Sequence, residues 1–116
     1  MALTNYYTVE QQQTLGPNEW KFTIRLHPDC EVYKGHFPGQ PVAPGVCQLR
    51  VVKDCMETVL GQRARFTRIK QCKFMRMIIP SEVDTMDVCL TLSEDHTLNA
   101  LVQDAQNTYV KIKAEY

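Results

Sequence analysis

The sequence predicts an α+β fold in which one antiparallel sheet curls around one long helix. Three observations lead there. Apolar and polar residues alternate with period two in several segments. One stretch alone, Val46 to Leu60, repeats with the helical period instead. The links between most successive period-two segments are short, and short links require antiparallel pairing.

The elements follow in order. Residues 5–14 interleave Tyr, Thr and Val with polar groups, a strand candidate, and Gly16-Pro17-Asn18-Glu19 is a turn. Trp20, Phe22, Ile24 and Leu26 then alternate with Lys21, Thr23, Arg25 and His27, so a second strand pairs back as a hairpin. Residues 28–45 are a loop, because Pro28, Pro38, Pro41 and Pro44 with Gly35, Gly39 and Gly45 forbid regular structure. A connection this long in a small domain tends to be functional. From Val46 to Leu60, Leu49, Val52, Met56 and Val59 share one helical face, widened by Cys55 and Leu60. Arg50, Lys53, Asp54 and Glu57 form a polar stripe opposite, and Gly61 stops the helix. Residues 64–79 make a long, bulged strand ending at Pro80. Three more strands carry Met86–Leu92, Leu98–Val102 and Val110–Ala114, with turns near Glu94-Asp95-His96 and Gln106-Asn107. The expected organisation is one domain over residues 1–116.

Composition narrows the function. With 13 basic and 13 acidic residues the formal charge is zero, which argues against whole-molecule attraction to nucleic acid or an anionic membrane. The five cysteines are odd in number and widely spaced, with no Cys-x-x-Cys pair, so neither a disulfide framework nor a structural zinc site is expected. Met1 to Gly16 is polar and no stretch reaches membrane-spanning length; a cytoplasmic protein is the expectation.

The loop carries the most specific signal. Gly35-His36-Phe37-Pro38-Gly39-Gln40-Pro41-Val42-Ala43-Pro44-Gly45-Val46 closely resembles the active-site loop of the FabZ/FabA-type β-hydroxyacyl-acyl carrier protein dehydratases. Downstream, Phe74-Met75-Arg76 leading to Pro80 resembles that family's next strand, with Ser81 where the family usually has glycine. The resemblance spans residues 5–116 and implies the hotdog fold, a lyase of fatty-acid or related lipid synthesis, and no metal or redox cofactor.

The chemistry of such a loop can be argued independently. Dehydrating a 3-hydroxyacyl thioester needs a base of near-neutral pKa for the proton beside the carbonyl, a task suited to His. The developing enolate oxygen needs preorganised donors. Pro44 fixes the chain before the helix, while Gly45 and Val46 offer free backbone N–H groups at its positive end, and glycine permits close approach. By resemblance His36 is the base and the Gly45 amide holds the thioester carbonyl. This reading requires the imidazole to face the site and the space beside the Gly45 amide to be clear of side chains.

The sequence departs from the family at one position. The second catalytic residue, a Glu or Asp fourteen positions after the histidine, is here Arg50. Arginine stays protonated and offers only donors. Losing a general acid costs about 10²–10⁴ in rate. Three accounts remain open. His36 could run the elimination alone with Arg50 orienting the hydroxyl or a water; Asp54 or Glu57 could supply the proton; or the chain is a non-catalytic, carrier-binding subunit or the partner of an active relative. Arg50 could also simply pair with Asp54 at i,i+4. Gln48, toward the apolar face, is either a satisfied buried amide or a group that positions water, as an acyl thioesterase on the same fold would need.

Partners follow the same logic. Arg63, Arg65, Arg68, Lys70, Lys73 and Arg76 form a run with no acidic residue among them, suited to an acidic acyl carrier protein or to ordinary solvation. The acyl group, on a carrier protein or CoA, would lie in an apolar tunnel involving Phe37, Val42, Val46, Leu49 and Met56. The resemblance further implies a homodimer or higher oligomer, since hotdog enzymes set the loop histidine of one protomer against the helix of another.

Overall fold

The computed structural model describes residues 6–27, 45–79, 83 and 85–116. Its elements are β1 (Tyr7–Gly16), β2 (Glu19–Leu26), α1 (Gly45–Leu60), β3 (Arg68–Phe74), β4 (Thr85–Leu92), β5 (Thr97–Gln103) and β6 (Thr108–Glu115). Six strands form one sheet in the order β1-β2-β4-β5-β6-β3, and every neighbouring pair is antiparallel. The strand that follows the helix thus lies at the sheet edge opposite β1. One antiparallel sheet with one helix is the α+β hotdog architecture that the sequence predicts.

Period-two patterning places the core. Phe22, Ile24 and Leu26 of β2 share the buried face with Met86, Val88, Leu90 and Leu92 of β4. Leu98, Ala100 and Val102 of β5 and Val110, Ile112 and Ala114 of β6 continue it. Ladder register puts these residues directly opposite one another, Ile24 on Met86, Leu90 on Ala100, Val102 on Val110, so each apolar row crosses the sheet. Full burial of one such side chain contributes roughly 1.5–3 kcal/mol.

The helix completes that core with a stripe different from the expected one. Cys47, Gln48, Val51, Val52, Cys55 and Met56 are buried, whereas Leu49, Val59 and Leu60 are only partly so. Positions 48, 51, 52, 55 and 56 follow the i, i+3, i+4, i+7, i+8 rule. Val52, Cys55 and Met56 are shared with the expected face and Gln48 lies toward it as expected, while Cys47 and Val51 take the places expected of Leu49, Val59 and Leu60. Gly61, at φ +70°, ends the helix in the left-handed conformation, and its N–H donates to the Glu57 carbonyl at 2.9 Å.

Two strand boundaries also differ. β1 runs on to Gly16, with bulges at Val9/Gln11 and Thr14/Gly16. β3 is 7 residues long rather than spanning 64–79. It ends where its partner ends: Phe74 pairs with Val110, and beyond it the N–H groups of Met75 and Arg76 both point at the Tyr109 carbonyl, at 2.8 and 3.5 Å. The expected bulge is present, between Ile69 and Gln71. Among the described residues no helix is long and apolar enough to cross a membrane.

Candidate functional site

The helix begins at Gly45, so the backbone N–H groups of its first turn have no intrahelical acceptor. No acidic side chain stands in that turn to neutralise the positive end of the dipole. Beside it lies a cavity of about 320 Å³, walled by Gly45 and Gln48 of α1, by Phe74, Met75, Arg76, Met77 and Ile78, and by Val110 of β6. Helix start, end of the edge strand and neighbouring strand therefore meet at one place. The Phe-x-Arg unit singled out in the sequence is part of its wall.

Position 45 has a close neighbour that the sequence alone did not reveal. A Cβ built there would come within 2.8 Å of the Phe74 ring. Phe74 thus packs on the side of Gly45 where a side chain would stand, one of the two sides the resemblance had left open for a close approach, while Gly45 still borders the cavity. Phe74 is itself 51% exposed, at the last residue of β3.

Gln48 is 1% exposed. Its Nε2 donates to the hydroxyl of Tyr6 at 2.8 Å, while its Oε1 finds no hydrogen-bond partner among the described residues. Tyr6, fully buried just before β1, is a site residue that sequence reasoning missed. The Tyr6-Tyr7 pair at the head of a polar strand does not say which ring turns inward or what its hydroxyl meets.

Arg50 is exposed and is not among the residues that wall the Gly45 cavity. Its Nε lies 3.2 Å from Asp54 Oδ1, the i,i+4 pair the spacing suggested. The Tyr7 hydroxyl donates to the other carboxylate oxygen, also at 3.2 Å. Burial and the neighbouring Asp54 carboxylate hold the Tyr7 phenol well above its usual range. The Cys55 thiol is pushed up to about 12, first by burial and then by Asp54. Glu57 accepts the Ala64 N–H at 2.8 Å and so ties down the chain after the helix. Arg50, Asp54 and Glu57 together border a separate polar groove with Lys53 and Arg63.

Leu49 is half-buried against the core, and Met56 is fully buried beneath the helix; neither borders the Gly45 cavity. His36, Phe37, Val42 and the side chain of Val46 lie outside the described residues. Of the basic run, Arg65, Arg68, Lys70, Lys73 and Arg76 are all exposed. Lys70 pairs with Glu115 at 3.2 Å. Lys73 stands directly opposite Lys111, with Lys113 opposite Gln71. Like charges across a strand pair are unfavourable. Lys111 and Lys113 were legible as the outward positions of an alternating strand, but only the pairing brings them beside Lys73.

The ApeI dehydratase family model, described as ApeI-like, matches residues 10–113. The chain belongs to the ApeI-like family. In fold this ApeI-like chain is similar to a chain of the dehydratase heterocomplex ApeI:P from Xenorhabdus doucetiae, with a TM-score of 0.81, 26% identity, and coverage of 93% of this chain and 95% of that one. It is also similar, at a TM-score of 0.72 and 25% identity, to an uncharacterized protein from Erwinia carotovora subsp. atroseptica, over 93% of this chain and 90% of that one. Curated relatives include the 3-hydroxyacyl-[acyl-carrier-protein] dehydratase FabZ of Alkaliphilus metalliredigens, 35% identical over 66 residues, or 51% of this chain and 45% of that protein. The FabZ of Latilactobacillus sakei is 36% identical over 70 residues, 54% of this chain and 49% of that protein. The ApeI-like chain thus spans about half the length of the curated relatives it matches.

Proposed function

We propose that this chain removes water from a (3R)-hydroxyacyl thioester presented on an acyl carrier protein, acting as a cytoplasmic protein of fatty-acid or related lipid synthesis. The observation that carries this reading is the position of Gly45. It stands near the end of the run Gly35–Val46 whose sequence resembles the dehydratase active-site loop, and it opens a helix at the wall of a cavity with no acid in its first turn. In this reading the Gly45 N–H donates to the thioester carbonyl, and the charge of the enolate develops against the positive helix end. His36 takes the proton from C2. The C3–O bond then breaks as the electron pair forms the 2,3 double bond, and the imidazolium returns the proton to the departing oxygen, which leaves as water.

Arg50 supplies no proton in this scheme. Its side chain is presented outward on α1, where a second hotdog chain would bring its own loop. Assembly with a second chain, a like copy or an active relative, is supported by exposed apolar side chains at and just after the end of β3. Phe74 and Met77 stand 51% and 69% exposed there, beside the cavity. The heteromeric choice is favoured by the Xenorhabdus relative, whose structure is that of a dehydratase heterocomplex. Carrier docking is assigned to Arg65, Arg68, Lys70, Lys73 and Arg76, reinforced by Lys111 and Lys113.

The test is product identity with a (3R)-hydroxyacyl carrier substrate, using the chain alone and with whatever hotdog protein co-purifies. The 2-enoyl thioester is expected. Free acid would point to the thioesterase alternative, and no product in either preparation would leave only a carrier-binding role.

A further inference from the structure

We infer that Gln48 Oε1 is the acceptor that receives the hydrogen bond of the substrate's 3-hydroxyl, with Tyr6 as the residue that positions it; this rests on the dehydratase reading above. The observation is an imbalance within one buried amide. Gln48 is 1% exposed, its Nε2 is committed to the Tyr6 hydroxyl at 2.8 Å, and its Oε1 has no partner among the described residues. A buried polar atom without a partner is rare and costly, and it calls for an explanation. An apolar residue at position 48 would fit the buried stripe of α1 without that cost. The amide is therefore retained for something that arrives later.

Geometry indicates what arrives. Gln48 and Gly45 wall the same cavity and stand at i and i+3 on one helix. Residues so spaced lie about 5–6 Å apart on the helix surface. In a 3-hydroxyacyl thioester the carbonyl oxygen and the C3 hydroxyl are a somewhat shorter span apart, and a hydrogen bond of about 2.9 Å at each end bridges the rest. With the carbonyl on the Gly45 amide, the hydroxyl would be directed along the cavity wall toward Gln48, whose buried Oε1 it would have to meet by a small turn of the amide side chain. The hydroxyl brings a donor, and Oε1 can only accept. Because Tyr6 holds Nε2, the amide cannot turn that end toward the substrate. Arg50 is outside this cavity, so the orienting role left open for it passes to Gln48. An amide cannot supply the proton of the leaving group; Gln48 fixes the hydroxyl's direction and leaves proton transfer to the base.

The experiment compares binding of two amide-linked acyl pantetheines of equal chain length, which resist elimination, one with a 3-hydroxyl and one saturated. The full chain is used, with its co-purifying partner if it has one. Wild type is expected to prefer the hydroxylated ligand about tenfold, the worth of one hydrogen bond. Gln48→Met is expected to lose that preference while binding the saturated ligand as before, and Tyr6→Phe to lose part of it. A melting curve for Gln48→Met equal to or above wild type excludes unfolding as the cause. Should Gln48→Met keep the preference, the inference falls and the dehydratase reading stands. Should wild type show no preference, the inference also falls, and turnover of the hydroxyacyl carrier substrate decides the reading separately.

Discussion

The Phe74 ring occupies the space that a side chain at position 45 would fill, with its Cζ 2.8 Å from a Cβ built on Gly45. The contact ties the last residue of the edge strand to the first residue of the helix, and both belong to the cavity wall. Gly45→Ala must push the ring aside. Since the ring is half-exposed and alanine favours the helix, we expect a stability change within about 1 kcal/mol. The displaced ring and the new methyl both intrude on the carbonyl position, so turnover should fall at least about tenfold. Chemical denaturation beside steady-state kinetics checks both halves. A large loss of stability would mean that the ring cannot yield.

Arg50→Glu introduces the residue type that the family resemblance implies for this position. It replaces an exposed ion pair with like charges at i,i+4, at a cost below about 1 kcal/mol. If Arg50 only withholds a proton donor, the dehydratase rate should rise by about tenfold or more. A fall in rate would show that the guanidinium has a task of its own.

How far the sequence reached can be judged from these two positions. Arg50's exposure and its pairing with Asp54 follow from helical spacing and charge. Phe74's contact with Gly45 does not, because it joins residues whose proximity depends on β3 crossing to the far edge of the sheet. The same holds for Tyr6 beneath Gln48. Strand identities and the hairpin were legible from period-two alternation, since each strand buries one face. Sheet order was not, because alternation says which face is buried and nothing about which strand lies alongside. The helix face was right in its centre, Val52, Cys55 and Met56, and in placing Gln48 toward it, but it was set slightly too far round, toward Leu49 and Val59 and away from Cys47 and Val51.

The turn between β5 and β6 should weaken in acid. Asp104 accepts the Tyr109 hydroxyl and the backbone N–H groups of Gln106 and Asn107. These bonds, the Tyr109 one foremost, hold its carboxyl below the usual carboxylate range. Its folded-state pKa is lowered, so its contribution is complete above the unfolded-state value near ~4 and is lost as pH falls through the folded one. Asp104→Asn should therefore melt at a lower temperature at neutral pH. It should also show a shallower loss of stability than wild type as pH drops below about 4. Parallel acid slopes would remove Asp104 from this role.

Charge reversal on β3 and β6 separates docking from chemistry. Lys73 and Lys111 face each other across the ladder, a juxtaposition that an acidic partner would relieve. Lys73→Glu with Lys111→Glu should weaken capture of an acyl carrier protein most at low salt, while turnover of a short pantetheine substrate stays unchanged. Titration at two ionic strengths is the measurement, and salt-independent binding would count against the patch.

Central to the account is that the imidazole of His36 draws a proton from an acyl group held by the Gly45 amide. The most direct measurement is 2-enoyl formation from a (3R)-hydroxyacyl carrier thioester by wild type and His36→Ala, with binding of a saturated acyl pantetheine amide followed in parallel. Wild type should form the product, His36→Ala should lose at least about 10² in rate, and binding should be unchanged. Equal rates from the two proteins would contradict it.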